Sequence, residues 1–316
     1  MTFVKDQNEM RKVYCTLLSE SAKTDDRIMV LEADLMASNG TKDFFKNFPE
    51  RAYNVGIAEA NMIGVAAGLA SCGKLPFANT FTAFATRRCY DQITISAAYT
   101  NLPLRVVGTD PGLAAEVNGG THMSMEDVSI MRAMPNMAVF EPVDETQFRA
   151  AWDWIVSYEG PLYIRLFRKN TTKIFDEGYT FEPGKVSLVK DGSDVVLFAS
   201  GIMVAEALKA AEALEADGIS AAVVNVHTLK PFDSEGVAAW LKKCGAAVTC
   251  ENGTVLGGLG SAVAECAADC YPVPVKKIGV QDHFGEVGTL AYLQEKYHMT
   301  ACDIVEAAKA AIAMKK

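Results

Sequence analysis

Residues 53–70 read Tyr53-Asn-Val-Gly-Ile-Ala-Glu59-Ala-Asn-Met-Ile-Gly-Val-Ala-Ala-Gly-Leu-Ala70, a strand-like apolar run that passes into an apolar helix. Glu59 stands at the change, and the stretch contains no basic residue to neutralise it. A carboxylate in such a setting loses hydration, which favours its protonated form. Glu59 is therefore a candidate proton donor or acceptor near neutral pH. The alternative is an ordinary acidic residue that the helix dipole favours in a first turn.

Strands and helices alternate along the first half of the chain. Apolar runs predict strands at residues 27–32, 75–79, 104–108, 137–141 and 162–166. Helical periodicity predicts helices at residues 5–23, 58–72, 81–99 and 144–158, and Ser124 is the predicted N-cap of a further helix that ends near residue 132. This alternation predicts βαβ units and a parallel sheet.

A second alternating set follows a stretch that lacks periodicity. Residues 169–190 are rich in turn-forming residues and indicate a domain boundary. Beyond them, strands are predicted at 194–199, 221–226, 246–250 and 275–280, and helices at 203–216, 233–243, 259–269, 286–296 and 300–315. The predicted fold is α/β, with two domains that are each a mainly parallel sheet flanked by helices. We assign residues 1–170 to the first domain, 171–190 to a linker and 191–316 to the second domain.

Composition excludes several classes of function. A net charge of −9 over 316 residues gives no electrostatic footprint for nucleic acid or an anionic membrane. The sequence shows no signal-peptide region and no uninterrupted apolar run of about 18 residues, so neither secretion nor a membrane span is expected. The eight cysteines include no Cys-x-x-Cys pair, which predicts reduced thiols in a cytoplasmic protein. The four histidines lack metal-ligand spacing, so we predict no metal held by this chain alone.

Polar residues follow several of the predicted strands, where ligands usually bind in open α/β sheets. The first strand is followed by Asp34 and Ser38, and a long glycine-rich loop carries Asn118-Gly-Gly-Thr-His122. The last strand of the first domain ends with Arg165 and Arg168. Together with Glu59, these residues are predicted to meet at one edge of the sheet and to form a ligand site.

Each of these features also has an ordinary structural explanation. Phe81 and Phe84 share one helix face and could stack on a ligand ring, but such pairs more often pack in a core. His122 could simply be solvated in its loop. Arg11 and Arg168 could be exposed surface charges.

Ordered motifs along nearly the whole chain resemble the C-terminal half of a transketolase, with a pyrimidine-binding domain followed by the transketolase C-terminal domain. The motifs of the first domain are Ala33-Asp-Leu-Met-Ala-Ser-Asn39, Gly56-Ile-Ala-Glu59, Thr80-Phe-Thr-Ala-Phe84, Asn118-Gly-Gly-Thr-His122, Met134-Pro-Asn-Met137, Glu141-Pro-Val-Asp144 and Gly160-Pro-Leu-Tyr-Ile-Arg-Leu-Phe-Arg168. Those of the second domain are Glu251-Asn-Gly-Thr-Val-Leu-Gly-Gly-Leu-Gly260 and Phe284-Gly-Glu-Val-Gly288.

The resemblance implies that thiamine diphosphate (thiamine pyrophosphate) is the cofactor. Glu59 matches the glutamate that bonds N1′ of the cofactor's aminopyrimidine ring, and Phe81 and Phe84 match aromatic residues around that ring. Asp34 matches an acidic residue near the cofactor. His122 matches a contact to a substrate hydroxyl. Glu59 and His122 are the catalytic candidates that follow.

The resemblance also implies a substrate site for sugar phosphates. Arg11, Ser38 and Arg168 match the positions that grip the phosphate, a role that the forked donors of arginine suit. Two positions depart from the family pattern, because Asn118 replaces an acidic residue and Asp110 stands where the family has a phosphate-contacting histidine. The departures allow an unphosphorylated, branched or sulfonated substrate. Asp110 and Asn118 remain in the predicted substrate-binding set.

One half of the implied site is missing from this sequence. The family holds the diphosphate and its metal ion, Mg²⁺ or Ca²⁺, with a Gly-Asp-Gly motif, and no Gly-Asp-Gly occurs here. The run Gly257-Gly-Leu-Gly260 lacks the acidic ligand and also fits the first turn of a helix. A start at Met1, directly before the pyrimidine-type domain, favours a two-gene enzyme. We therefore expect a separate N-terminal subunit that holds diphosphate and metal, in an assembly with two copies of each subunit.

The resulting function is that of the C-terminal subunit of a transketolase of the pentose phosphate type, which moves a two-carbon ketol unit from a ketose phosphate to an aldose. One alternative is another thiamine-dependent half-enzyme, either a 2-oxoacid dehydrogenase β subunit or a 1-deoxyxylulose-5-phosphate-synthase-like subunit. Asp110 and Tyr90-Asp-Gln92 are similar to that synthase. A further alternative is a non-catalytic structural or regulatory partner.

Overall fold

A computed structural model describes residues 3–315 of the chain. Its strands are β1 (Ile28–Glu32), β2 (Ala52–Asn54), β3 (Leu75–Phe81), β4 (Arg105–Thr109), β5 (Ala138–Phe140), β6 (Leu162–Leu166), β7 (Ser187–Lys190), β8 (Val195–Ala199), β9 (Ala221–Asn225), β10 (Thr228–Lys230), β11 (Ala247–Thr254) and β12 (Val275–Val280). Its helices are α1 (Met10–Ala22), α2 (Met36–Asn39), α3 (Lys42–Asn47), α4 (Glu59–Ser71), α5 (Thr82–Ala85), α6 (Tyr90–Gln92), α7 (Asp127–Ala133), α8 (Glu145–Ala150), α9 (Trp152–Ser157), α10 (Met203–Ala216), α11 (Ser234–Cys244), α12 (Leu259–Cys270), α13 (Leu290–Lys296) and α14 (Ala301–Ala313). Further turns are 3-10 segments at Pro49–Arg51, Arg87–Cys89 and Gly112–Asn118, and a π-helical segment at Ile93–Ala98.

The strands form two mainly parallel sheets, which confirms the predicted fold class. The first sheet has seven strands in the order β10-β5-β6-β4-β3-β1-β2, and the second has five in the order β12-β11-β8-β9-β7. The edge strands β10 and β7 are antiparallel to their neighbours.

Both faces of the first sheet are buried, as expected for a parallel sheet covered by helices. Side chains alternate between the two faces along a strand. In β1, Ile28 and Val30 pack with Leu18 of α1 in one cluster, whereas Met29 and Leu31 belong to the cluster that contains residues of α4. The short apolar run of β1 is thus shared between two layers of helices.

The second half of the chain contributes a strand to the first sheet. After β9, β10 crosses back and pairs antiparallel with β5, so that Thr228 lies opposite Phe140. The Glu141 amide donates to the His227 carbonyl oxygen at 2.8 Å. The sequence analysis missed β10 because three residues next to a proline carry no strand signal of their own.

A buried ionic network joins the two domains around Arg165. Its guanidinium donates from Nε to Asp127 Oδ2 at 2.6 Å, from Nη1 to Glu141 Oε1 at 2.5 Å and from Nη2 to the Asn252 carbonyl oxygen at 2.5 Å. Arg165 is 1% exposed. The prediction that Arg165 faces a ligand is therefore wrong. Acidic residues from distant parts of the sequence take up its donors inside the protein.

Three helix starts differ from the prediction, and one of them is that of α13, which begins at Leu290 and not at residue 286. The first helix begins at Met10 and not near residue 5, because the preceding residues pair with the interdomain segment. Lys5 forms a bridge with Thr172, and the Asp6 amide donates to the Thr171 carbonyl oxygen at 2.9 Å. Ser124 is not an N-cap, since its carbonyl oxygen accepts from the Gly112 amide and α7 starts only at Asp127.

Other elements depart in smaller ways. The predicted loop at 33–40 contains α2, and the predicted helices at 81–99 and 144–158 are each broken into shorter segments. Strands β2 and β7 and helix α3 were not predicted, and β7 lies inside the stretch assigned to the linker. Within residues 3–315, no helix is long and apolar enough to cross a membrane.

We predict that Arg165→Met lowers the free energy of unfolding by about 3–5 kcal/mol, because Asp127 and Glu141 lose a buried counter-charge. Urea denaturation measures the loss. Arg149→Met is the control, since the Arg149 side chain is 41% exposed and pairs with Glu145 one turn away on α8, and the loss there should stay below about 1 kcal/mol. Equal losses in the two variants would contradict the role assigned to the buried network.

Candidate active site

Glu59 is buried at the start of α4 and forms an ion pair with a basic residue. The side chain is 3% exposed, and Arg88 Nη1 donates to Glu59 Oε1 at 2.7 Å. No basic residue occurs within residues 53–70, but Arg88 approaches Glu59 from the 3-10 turn after α5 and supplies the counter-charge that this stretch lacks. The pair lies 29 positions apart in the chain, so a search of the local sequence could not find it.

Aromatic rings line the space beside this ion pair. The Arg88 guanidinium lies over the Phe84 ring, 3.9 Å from the centroid. The His122 ring meets Phe84 edge-on at 5.2 Å between centroids and Phe81 at 6.1 Å. Phe81 and Phe84 are themselves 6.3 Å apart. Glu59 is thereby linked through one set of contacts to the loop that carries His122.

The predicted anion-binding residues also lie together. The Arg11 amide donates to the Arg168 carbonyl oxygen at 3.1 Å, and Arg11 Nη1 donates to the Ser38 carbonyl oxygen at 3.4 Å. Gly40 makes this approach possible, because a Cβ at its φ of +86° would lie 2.8 Å from the Arg11 carbonyl oxygen. Arg168 reaches over the Phe81 ring at 5.3 Å from the centroid. The anion-binding and aromatic groups therefore form one continuous site.

Asp110 is a buried carboxylate within this site. Its Oδ2 lies 2.6 Å from Arg168 Nε, but neither carboxylate oxygen receives a well-directed hydrogen bond from the described residues. Burial raises the pKa of Asp110 to about 6, against the opposing pull of Arg168 and Lys169. The backbone is held at a φ of +53° just after β4. Asp110 is therefore a fixed negative group beside the arginine.

A second-domain residue holds the loop that follows Asp110. Asn252 Oδ1 accepts from the Leu113 amide at 2.9 Å, and Asn252 Nδ2 donates to the Pro111 carbonyl oxygen at 2.9 Å. Gly112 has no room for a side chain here, since a Cβ would lie 2.2 Å from the Asn252 carbonyl oxygen. The second domain thus fixes the loop that leads to His122.

Two predicted site residues lie outside the set of aromatic and anion-binding residues described above. Asp34 is exposed and lies beside Asn54, whose Oδ1 accepts from the Asp34 amide at 3.0 Å. Asn118 is half-buried at the end of the 3-10 segment, in the loop before His122. Their roles toward cofactor and substrate stay predictions.

A buried acid that the sequence analysis passed over supports the loop at Ser38. Glu32 accepts from Asn39 Nδ2 at 2.8 Å and from Thr41 Oγ1 at 2.6 Å, and Thr109 Oγ1 donates to Asn39 Oδ1 at 2.8 Å. Burial raises the pKa of Glu32 to about 8, although both hydrogen bonds lower it. The network fixes the loop against the end of β4.

The groups present fit one end of thiamine diphosphate. A buried carboxylate beside aromatic faces suits the ring and nitrogen of an aminopyrimidine. No cluster of three or more His, Cys, Asp or Glu that could hold a metal occurs among residues 3–315. The Gly257–Gly260 run leads into α12, which begins at Leu259, and the Leu259 and Gly260 amides donate to Glu251 at 2.7 Å each. Those amides are not free to bind a diphosphate.

Comparison with known families places the chain in a defined class. Residues 6–173 match "Transketolase, pyrimidine binding domain", and residues 184–304 match "Transketolase, C-terminal domain". These matches define a thiamine-diphosphate enzyme class with the two-domain architecture described above. The chain belongs to the transketolase family.

Three of the similar proteins match this chain along most of their own length. It is 56% identical over 303 residues to the 6-deoxy-6-sulfo-D-fructose transketolase subunit of Clostridium sp. (strain MSTE9), covering 96% of this chain and 94% of that protein. It is 32% identical to one subunit of the apulose-4-phosphate transketolase of Actinobacillus succinogenes, covering 87% and 89%. A solved split-gene transketolase in the form of an inactive β4 tetramer superposes with a TM-score of 0.89 at 45% identity, covering 98% and 99%.

These similarities confirm the resemblance to the C-terminal half of a transketolase. They also bear on the other thiamine-dependent enzymes considered as alternatives. The chain groups with C-terminal subunits of split transketolases. The comparisons do not favour a 2-oxoacid dehydrogenase β subunit or a deoxyxylulose-phosphate-synthase-like subunit.

We predict that Arg88→Met lowers the free energy of unfolding by about 1–2 kcal/mol, because Glu59 is left buried without its charged donor. The loss is moderated because the Arg88 side chain is 45% exposed. In a Glu59→Gln background the same substitution should cost less than about 0.5 kcal/mol, which a double-mutant cycle by urea denaturation measures. Arg87→Met is the matched control, since its partner Glu126 is partly exposed. Additive losses in the cycle would show that the pair is not coupled.

Proposed function

We propose that this chain is the C-terminal subunit of a thiamine-diphosphate-dependent transketolase that transfers a two-carbon ketol unit from a ketose to an aldose acceptor. The observation that carries the proposal is the continuous line of contacts from Glu59 through Phe84 and His122 to Arg168. Along this line, Glu59 can exchange a proton and Phe84 can pack against a ring. At the other end, Arg168 can bind an anion. This order suits a long, charged sugar held against a cofactor ring.

The proposed donor is a ketose that ends in a sulfonate. Support comes from the relative at 56% identity, whose name gives 6-deoxy-6-sulfo-D-fructose as its substrate. Asp110 supports it as well, because a carboxylate at this position cannot assist a phosphate dianion as histidine does. On this proposal the substrate belongs to sulfosugar metabolism and not to the pentose phosphate reactions expected from the sequence.

Each side chain has a separate task in the proposed reaction. When bound, thiamine diphosphate would supply a carbon nucleophile and an electron sink for the two-carbon unit. Glu59 holds a proton at N1′ of the aminopyrimidine ring, while Phe81 and Phe84 orient that ring. Arg88 contacts both Phe84 and Glu59, and in this proposal it supplies the positive charge beside the Glu59 carboxylate.

The remaining groups orient the sugar. His122 is proposed to hydrogen-bond a substrate hydroxyl, and the position of its ring beside Phe81 and Phe84 supports this role. Arg11 and Arg168 bind the terminal anion at the far end of the site, and this fixes the carbonyl end near the cofactor. Such positioning converts binding energy into correct alignment of the reacting atoms.

The diphosphate and its Mg²⁺ or Ca²⁺ are proposed to be held by a separate N-terminal subunit. The Leu259 and Gly260 amides of the glycine-rich run are already bonded to Glu251, which supports this division of the site. The similar split-gene enzyme that forms an inactive β4 tetramer supports both self-association and the need for another chain. Two copies of each subunit are the proposed assembly.

We expect the purified chain with thiamine diphosphate and Mg²⁺ to show no ketol transfer from hydroxypyruvate, and the mixture with the diphosphate-binding subunit to show it. A coupled assay of the aldose product measures turnover, and size-exclusion chromatography measures assembly. Turnover by the isolated chain at the rate of the mixture would refute the shared site.

Glu59→Gln should lower kcat of the assembled enzyme by at least about 100-fold, because an amide cannot exchange the proton with N1′. Glu159→Gln is the control, since Glu159 is exposed in the turn before β6. This turn lies at the amino-terminal ends of the strands, away from the site. Circular dichroism and assembly with the partner check that both variants are folded. Full turnover in Glu59→Gln would remove Glu59 from the mechanism.

A further inference from the structure

The loop between β4 and α7 carries three predicted substrate-binding residues, Asp110, Asn118 and His122. Its backbone is irregular, because Asp110 and Glu116 have φ values of +53° and +47°, in the left-handed region that side chains other than glycine rarely adopt. Such a backbone persists only where the surrounding structure holds it. The contacts that hold this loop therefore determine where its substrate-binding residues lie.

Asn252, on β11 of the second domain, holds the start of the loop. Its Nδ2 donates to the Pro111 carbonyl oxygen and its Oδ1 accepts from the Leu113 amide, each at 2.9 Å. A primary amide suits this place because it donates and accepts at once. Asn252 is 1% exposed, and its own carbonyl oxygen accepts from Arg165, so the residue is itself fixed by the buried ionic network.

The segment that Asn252 holds is bonded to the other end of the loop. The Gly112 amide donates to the carbonyl oxygen of Ser124, which follows His122 by two positions, at 3.1 Å. Strand β11 also holds this second end, because the Thr254 amide donates to the Met125 carbonyl oxygen at 2.8 Å. One strand of the second domain therefore ties down both ends of the loop.

We propose that Asn252 is a positioning residue of the ketol transfer, which fixes from the second domain the loop that places Asp110 and His122 in the substrate site. The inference rests on the proposed function, since it concerns the same site. It goes further because it gives a buried side chain of the second domain a task in aligning the substrate. Displacement of binding groups by about 1 Å can lower a rate about 100-fold.

The loop should matter most for a long donor. A ketose with a terminal anion would extend from the cofactor past His122 to Arg168, which lies beside Asp110. Hydroxypyruvate is a short donor that does not extend to Arg168, and its reaction depends mainly on the cofactor and Glu59. A displaced loop should therefore impair the long donor more than hydroxypyruvate.

The test compares the two kinds of donor on the assembled enzyme with thiamine diphosphate and Mg²⁺. Glycolaldehyde is the acceptor for both, and erythrulose is the product measured. The long donor is 6-deoxy-6-sulfo-D-fructose or fructose 6-phosphate, whichever the wild-type enzyme uses faster. Asn252→Leu removes both side-chain hydrogen bonds and should lower kcat/KM at least about 30-fold for the long donor, but less than about fivefold for hydroxypyruvate.

Asn225→Leu is the matched control, because Asn225 is also a buried asparagine of the second domain that bonds to the first. Its Oδ1 accepts from Gln147 Nε2 of α8 at 2.8 Å, and it makes no hydrogen bond to the loop. Both donors should stay within about threefold of the wild-type values in this variant. Equal losses for the two donors in Asn252→Leu would overturn the proposal, and so would the same change of donor ratio in Asn225→Leu.

Asn252→Ala gives the same comparison if Asn252→Leu does not fold. Water can enter the space and bond the freed Pro111 and Leu113 groups, which limits the loss of stability but does not tie the loop to β11. The ratio of kcat/KM for the long donor to that for hydroxypyruvate should still fall at least about fivefold, and a ratio within about twofold of wild type would overturn the proposal. Failure of the wild-type assembly to use hydroxypyruvate or either long donor would instead refute the proposed function.

Discussion

The register of three parallel strands sets the positions of the site residues. In the first sheet, Phe81 at the end of β3 lies opposite Thr109 of β4, and Thr109 lies opposite Leu166 of β6. The residues that follow each strand therefore leave the sheet at the same level. Asp110 and Arg168 meet for this reason, and Phe81 lies under the arginine. A slip of one residue in either pairing would turn these side chains to the other face of the sheet.

The sequence predicted the parts of the molecule that depend on local pattern. Apolar runs and helical periodicity located β1, α4 and β6 to within a residue or two, because burial on both faces leaves a continuous hydrophobic signal. Glu59 and Arg168 are predicted site residues because they follow such elements at the carboxyl ends of the strands, whereas Phe81 is predicted from its spacing to Phe84 and from the family resemblance. Their approach to one another is a consequence of the parallel topology, which the same pattern predicts.

Contacts between distant segments could not be predicted in this way. Arg88 on Glu59, Arg165 inside the domain junction and β10 on β5 each join residues whose local sequence gives no sign of the partner. Arg165 and Arg168 look alike at a strand end, yet alternation along the chain places one in the interior and the other in the site. Polarity at a strand end therefore predicts where ligands can bind, but not which charged side chains remain available to them.

The pairing of site charges bears on how the proposed site can accept a ligand. In the proposed site, a ligand anion would compete with Glu9, Asp110 and Glu116 for Arg11, Arg168 and Lys169, and the ring of the proposed cofactor would compete with Arg88 for Glu59. Competition with a partly exposed group costs little, because water can solvate the displaced side chain. Competition with a buried group is costly, because no solvent compensates for the lost pair. Selectivity is therefore expected to depend most on the buried members, Glu59 at the cofactor end and Asp110 at the anion end, and less on the exposed residues between and around them.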